Sequence, residues 1–242
     1  MTEAIDFLLD SASWSGADGL GAQLIQQLLL TVTALALACA IGLPLALWLG
    51  HVGRGGVLAV NVSNVGRAVP TFAVLVLLSV GPVGTAVLGP YGRAGLATLV
   101  ALVLFAMPPI ITNAYVGMRE VDREVVEAAT GMGMRGRELF SQVELPLAAP
   151  LVMTGVRLAL VQVWATASIA ALVAGPGLGN TITLGFENQD VARVLGGAIL
   201  VAGVALILEG LLALAERWLD PVRRARSRTG VKAESVVASQ AI

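Results

Sequence analysis

Charge is what this sequence has least of. Only 13% of its 242 residues are Asp, Glu, Lys or Arg, against about 25% in an ordinary soluble domain, and 57% are hydrophobic. That balance excludes a conventional soluble globule and places the chain among membrane proteins before any motif is considered. Cysteine is nearly absent as well. Cys39 stands alone in an apolar run, so neither a disulfide framework nor a thiolate metal site can be built within the chain. The one histidine, His51, reads as a solvated residue in a short loop. There is no H-E-x-x-H, no C-x-x-C and no Ser/His/Asp set, so the sequence offers no catalytic residue, and an enzyme acting on lipid is disfavoured. The first twenty residues hold Glu3, Asp6, Asp10 and Asp18 and no basic residue. A cleaved signal would need a basic start, so 1–20 is expected to be an extracytoplasmic segment.

What the chain does have is long stretches without charge. Residues 19–53, 68–92, 94–118 and 158–186 contain no Asp, Glu, Lys or Arg, and 194–215 is interrupted only by Glu209. A spanning helix needs about 20 predominantly apolar residues. The windows therefore predict an all-α membrane protein with five transmembrane helices, near 22–50, 60–85, 95–117, 148–174 and 194–218, in a membrane domain over 21–219. The second is the weakest, diluted by Asn61, Ser63, Asn64 and Arg67.

Between the third and fourth windows the character reverses. Eleven of the 31 charged residues fall between Arg119 and Arg157. Each would cost roughly 2.5–3.5 kcal/mol at a helix centre on insertion scales, so this stretch is read as an aqueous loop. Placing it on the cytoplasmic side puts the N-terminus outside and the C-terminus inside. Thirteen of the 15 basic residues then lie inside, leaving Arg93 and Arg193 outside, as the positive-inside rule requires. The last residues, 220–242, read as a flexible cytoplasmic tail whose arginines lie near anionic lipid headgroups.

The loop has a pattern of its own. On a helix, Val121, Val125, Ala128, Ala129 and Met132 share one face, while Asp122, Arg123, Glu124 and Glu127 occupy the rest. Gly131 and Gly133 interrupt it with the dihedral freedom a sharp turn needs. A second short helix is expected from Arg135 to Glu144, ended by Leu145-Pro146. The predicted element is a helix–turn–helix over 119–146, the shape of a docking element under a helical bundle.

The spacing within this loop is specific. Glu127-Ala128-Ala129, three residues, Gly133, nine residues, Val143, one residue and Leu145-Pro146 resembles the EAA loop of bacterial ABC-importer permeases, with Val143 where that pattern has Ile. Pro108-Pro109-Ile110-Ile111-Thr112-Asn113, Val121-Asp122 and Gly175-Pro176-Gly177-Leu178-Gly179 extend the likeness over roughly residues 24–215. They resemble the glycine betaine, carnitine and choline class, with some features shared by methionine-type permeases. The resemblance implies that Glu127, Ala128, Ala129, Gly133, Val143, Leu145 and Pro146 form a coupling loop that docks on an ATPase. It further implies two ATP-binding cassette subunits that use ATP and Mg, a second permease of the same or related sequence, an extracytoplasmic solute-binding protein, and a place in the bacterial cytoplasmic membrane. No cofactor or metal is expected on this chain, and no nucleic acid partner. Import of another small solute such as an amino acid is the alternative. A channel or secondary transporter is less favoured, because ionisable groups for ion coupling are nearly lacking.

Several residues admit two readings. Pro108-Pro109 in the third window either breaks a helix lining the solute path, with Pro70, Thr112 and Asn113 nearby in the pattern, or makes a static packing kink. Phe72, Phe105 and Trp164 either offer π faces to a quaternary ammonium solute or pack in the core. Arg157 and Glu209 either pair or sit at the inner headgroup level. Gly175, Gly177 and Gly179 read as a turn leaving the fourth span, since no Lys-Ser/Thr follows them as a phosphate loop would require.

Overall fold

The structure, a computed structural model, describes residues 2–56, 61, 69–85, 89–91 and 94–219. The proposed tail 220–242 lies outside the described residues, as do Arg67, Arg93 and residues 60 and 62–68 of the expected second span.

Every regular element among the described residues is helical. Two short helices, α1 (Thr2–Leu9) and α2 (Ser11–Trp14), precede α3 (Leu20–Val52). Then come α4 (Thr71–Val80) and α5 (Gly95–Arg119). The polar region folds as α6 (Arg123–Gly131) and α7 (Gly136–Leu139), and the chain continues through a π-helical turn, Phe140–Glu144, into α8 (Leu145–Ile169). After a short 3₁₀ turn, α9 (Gly179–Glu187) and α10 (Val191–Leu219) complete the order. Four of these segments are long and apolar enough to cross a membrane: α3, α5, the run from Gly136 to Val173, and α10. α4 is apolar but shorter.

Their directions follow from the contacts. Thr33 Oγ1, in the first half of α3, and Tyr91 OH, just before α5, share a hydrogen bond of 2.8 Å. Near the helix ends, Gly50 lies against Met118. The two helices are therefore parallel. α8 runs antiparallel to both. α10 runs back beside it, with Val201 opposite Trp164 and Glu209 opposite Arg157.

α5 is the central helix. Leu99, Leu102, Ala106 and Ile110 pack against Leu30, Ala34 and Ala38 of α3 and Ala159, Val163 and Ala167 of α8. Alanines at these crossings let the backbones approach closely, the usual basis of helix association in lipid. α5 and α8 come close at Gly155, where a Cβ would meet Asn113 Cβ at 2.7 Å and the Pro109 carbonyl oxygen at 2.8 Å. The most hydrophobic span, α10, lies at the periphery with none of its apolar window buried.

Two expectations are corrected. His51 is not in a loop; it occupies the last turn of α3. Leu145-Pro146 does not end a helix. The chain stays helical through it, because the preceding turn widens so that Leu145 N–H donates to the Phe140 carbonyl, five residues back, and Pro146 enters the first turn of α8 where its missing N–H costs little. Within 1–20, Phe7 and Leu8 of α1 join Trp164, Leu178, Leu200 and Val204 in a core cluster.

Candidate functional site

The charged hairpin between α5 and α8 is built from local rules. Asp122 caps α6, its carboxylate accepting from Glu124 N–H at 2.9 Å. The helix stops where Gly133 adopts φ +91, a left-handed conformation that a side chain would oppose by roughly 1–2 kcal/mol. Gly133 N–H donates to the Thr130 carbonyl and Met134 N–H to that of Ala129, closing the helix end in the manner of an αL cap. Glu138 then accepts from Arg135 N–H at 2.9 Å and opens α7.

Within this frame the motif residues take distinct places. Glu127 and Ala128 are exposed, Ala129 is buried, and Gly133 has open space around it. Val143, Leu145 and Pro146 are half-buried where the hairpin enters α8. Of the apolar face expected of α6, this chain covers Ala129 and part of Val121, while Val125 is 43% exposed and Met132 75%.

One contact anchors the hairpin to the bundle that the sequence reading did not foresee. Glu144, in the π turn, is buried, and its carboxylate meets His51 Nδ1 at the end of α3. The His51 ring also stands edge-on to Phe140, with centroids 5.4 Å apart. A buried carboxylate without a partner would be costly. His51 supplies that partner, which explains why it is not a solvated residue.

A second polar feature lies between α5, α8 and α10. A cavity of about 580 Å³ is lined by Pro108, Pro109, Thr154, Arg157, Gln162 and Glu209, with Leu158, Val161 and Ala165. α5 stays continuous through both prolines, so they wall the cavity without breaking the helix. Arg157 donates to Glu209 Oε1 at 2.6 Å. At 1.5 Å per residue, Arg157 lies about 18 Å along α8 from Leu145, and Glu209 about 15 Å from the end of α10. The two side chains pair, which answers the question of partnership that the sequence left open.

The other expected path residues are dispersed. Asn113 turns back on its own helix, donating to the Pro109 carbonyl at 2.8 Å, and Thr112 Oγ1 is buried without a partner. Pro70 and Phe72 are exposed at the start of α4. Phe105 packs with Leu75, Ala101 and Ala170. Trp164 is 1% exposed and donates through its indole N–H to the Val201 carbonyl, so its ring belongs to this chain's core rather than to the cavity.

At the opposite end of the bundle the glycine-rich turn after α8 is held by α3. Gln27, fully buried, donates to Ser168 Oγ at 2.8 Å and accepts from Leu178 N–H at 2.8 Å. Gln23 accepts from the hydroxyl and the N–H of Thr181. Two glutamines one turn apart in an apolar helix were the available signal for this clasp.

Membrane-length helices, a charged hairpin between two of them and a largely apolar cavity that holds an ion pair define a multi-pass membrane protein. Comparison with known proteins narrows the class. The chain matches, over residues 38–221, the family of binding-protein-dependent transport system inner membrane components, and it belongs to that family. Similar relatives include the choline transport system permease protein OpuBB of Bacillus subtilis, 30% identical over 81% of this chain and 86% of that one. The carnitine transport permease protein OpuCB of Listeria monocytogenes is 32% identical over 83% and 89%. The glycine betaine/proline betaine permease ProW of Escherichia coli is 30% identical over 81% of this chain and 53% of its own length. Among solved structures, a chain of the MetNI methionine ABC transporter in an inward-facing conformation superposes with a TM-score of 0.68 over 81% of this chain and 93% of that one, at 20% identity. That likeness is one of fold.

Proposed function

We propose that this chain is the permease subunit of an ATP-driven importer of compatible solutes with quaternary ammonium groups, of the glycine betaine, choline and carnitine kind. The observation that carries the proposal is the hairpin. Its Glu127-Ala128-Ala129 helix holds an exposed carboxylate and a partly uncovered apolar face beside a rigid glycine turn, in a chain whose relatives are named for those solutes.

In this reading Glu127, Ala128, Ala129 and Gly133 dock on an ATPase, and Val143, Leu145 and Pro146 pass the movement into α8. Two such ATPases bind ATP with Mg and hydrolyse it. A second permease, identical or related, completes the pathway, and an extracytoplasmic binding protein delivers the solute. The chain resides in the bacterial cytoplasmic membrane, crosses it five times, and keeps the hairpin and C-terminus inside. Parallel α3 and α5 support the fifth crossing, since the chain between them has to return. The cavity at Pro108 and Pro109 is the membrane part of the solute path. The permease contributes differential stability of two packings and no bond chemistry.

The test combines transport and topology. Cells lacking other uptake routes should accumulate labelled glycine betaine, choline or carnitine through this system and lose uptake on ATP depletion at constant membrane potential. In a Cys39→Ala background, cysteines at Ser11 and Asn188 should react with an impermeant thiol reagent from outside, and one at Thr130 should not. ATP-independent uptake, or labelling of the Thr130 site in sealed cells, would overturn the reading.

A further inference from the structure

The cavity carries more charge than a structural ion pair requires. Arg157 contacts Glu209 at 2.6 Å and lies 3.8 Å from Glu216 Oε2. Glu209 and Glu216 are two turns apart on α10, hence on one face. Among the described side chains, no second basic group lies within ion-pairing distance of either carboxylate. Among the described side chains, two carboxylates thus share one guanidinium. The group is also open: the side chains of Arg157 and Glu209 are 37% and 40% exposed, and both line the 580 Å³ space. A pair kept only for packing would be closed and neutral, because charge in a spanning helix is expensive and persists where it faces water, a partner or a ligand.

The neighbours complete the chemistry. Pro108 and Pro109 present an apolar wall that donates no backbone N–H, suited to methyl groups. Gln162, exposed on the opposite wall, offers an amide. The volume is in the range of small-molecule sites.

We propose that Glu209, with Arg157 as its exchangeable partner, is a transit site for the onium head of an organic cation or zwitterion. The head group displaces the guanidinium from Glu209 while Arg157 stays paired through Glu216. If the solute also carries a carboxylate, Arg157 receives it. Competition between guanidinium and solute for Glu209 keeps the site weak, as a site that must release its cargo needs to be. No bond is made or broken. The assignment rests on the importer reading for its cargo, and on the geometry alone for its charge preference.

Two measurements test it. With the full chain purified in detergent, tetramethylammonium chloride at tens of millimolar should raise the unfolding temperature of the wild type and of Glu209→Asp above that seen in equal sodium chloride, and should do nothing for Glu209→Gln. In cells, Glu209→Gln should lower maximal onium uptake about tenfold, with recovery in Glu209→Asp, at unchanged protein level. Arg157→Gln should reduce glycine betaine uptake more than choline uptake, a change of ratio that a merely structural role would not give. If Glu209→Gln fails to accumulate, the Glu209→Asp and Arg157→Gln comparisons carry the test. Equal stabilisation of wild type and Glu209→Gln, normal uptake by Glu209→Gln, or an unchanged betaine-to-choline ratio in Arg157→Gln would overturn the site. Onium uptake by both wild type and Glu209→Gln would remove the site and leave the importer reading standing. Specific tetramethylammonium stabilisation without any onium import would do the reverse.

Discussion

The two ends of the bundle are held by different means. Around the turn after α8, Gln23 and Gln27 are buried and their side-chain amides are spent on Asp18, Ser168, Leu178 and Thr181. Donors and acceptors there are answered from within the chain. At the hairpin end, one buried contact between His51 and Glu144 joins α3 to the π turn, while Val125, Glu127 and Met132 stand in the open. The first arrangement favours a fixed joint, since a satisfied buried network resists rearrangement. The second leaves a lever attached at one point and unfinished on its outer face. Stability should therefore concentrate at the glutamine clasp and coupling at the hairpin.

The sharpest way to break that contrast is Gln27→Leu. It strands the Leu178 N–H and a loop that has no other link to α3 through this side chain. A loss of about 3 kcal/mol, read as a lowered unfolding temperature in detergent, is expected, with ATPase co-purification retained at low temperature. His51→Leu comes next. It leaves the Glu144 carboxylate buried without its partner, at a cost of about 1–3 kcal/mol. The effect should be local: faster amide hydrogen exchange over 140–145 with little change in α5, and His51→Gln should restore much of the protection. Smallest in stability and largest in function are the hairpin variants. Gly133→Val costs roughly 1–2 kcal/mol of backbone strain, and Glu127→Lys, on an exposed carboxylate, stays within about 0.5 kcal/mol. Both should lose ATPase co-purification and solute uptake together with the bundle intact. A clasp variant that uncouples, or a hairpin variant that unfolds the bundle, would erase the distinction.

The sequence was legible wherever a rule is local. Charge-free windows located α3, α5, α8 and α10 to within a few residues, because the cost of burying charge in hydrocarbon is paid residue by residue. Gly133 marked the end of α6 through its backbone freedom, whereas the cap at Asp122 was not read from the sequence. What required the fold were pairings across helices. Nothing in the spacing of Arg157 and Glu209, or of His51 and Glu144, says that they meet, since each contact depends on how two spans are rotated against a third. Trp164 shows the same limit from the other side: an aromatic in an apolar run has no sequence mark that separates a core indole from one facing a solute. Pro146 was misread because a proline ordinarily ends a helix, and only the π turn before it makes continuation affordable.

The pairing of Arg157 with Glu209 also has a bearing on how the chain is made. Synthesis proceeds from the N-terminus, so α8 reaches the membrane before α10. During that interval the guanidinium of Arg157 is present without the carboxylates that will pair with it. α10, the most hydrophobic span, brings Glu209 and Glu216 with it and completes the pairing. A nascent chain halted after α9 is thus an unfinished electrostatic object, one that quality-control machinery able to sense an unpaired charge could tell from the completed permease.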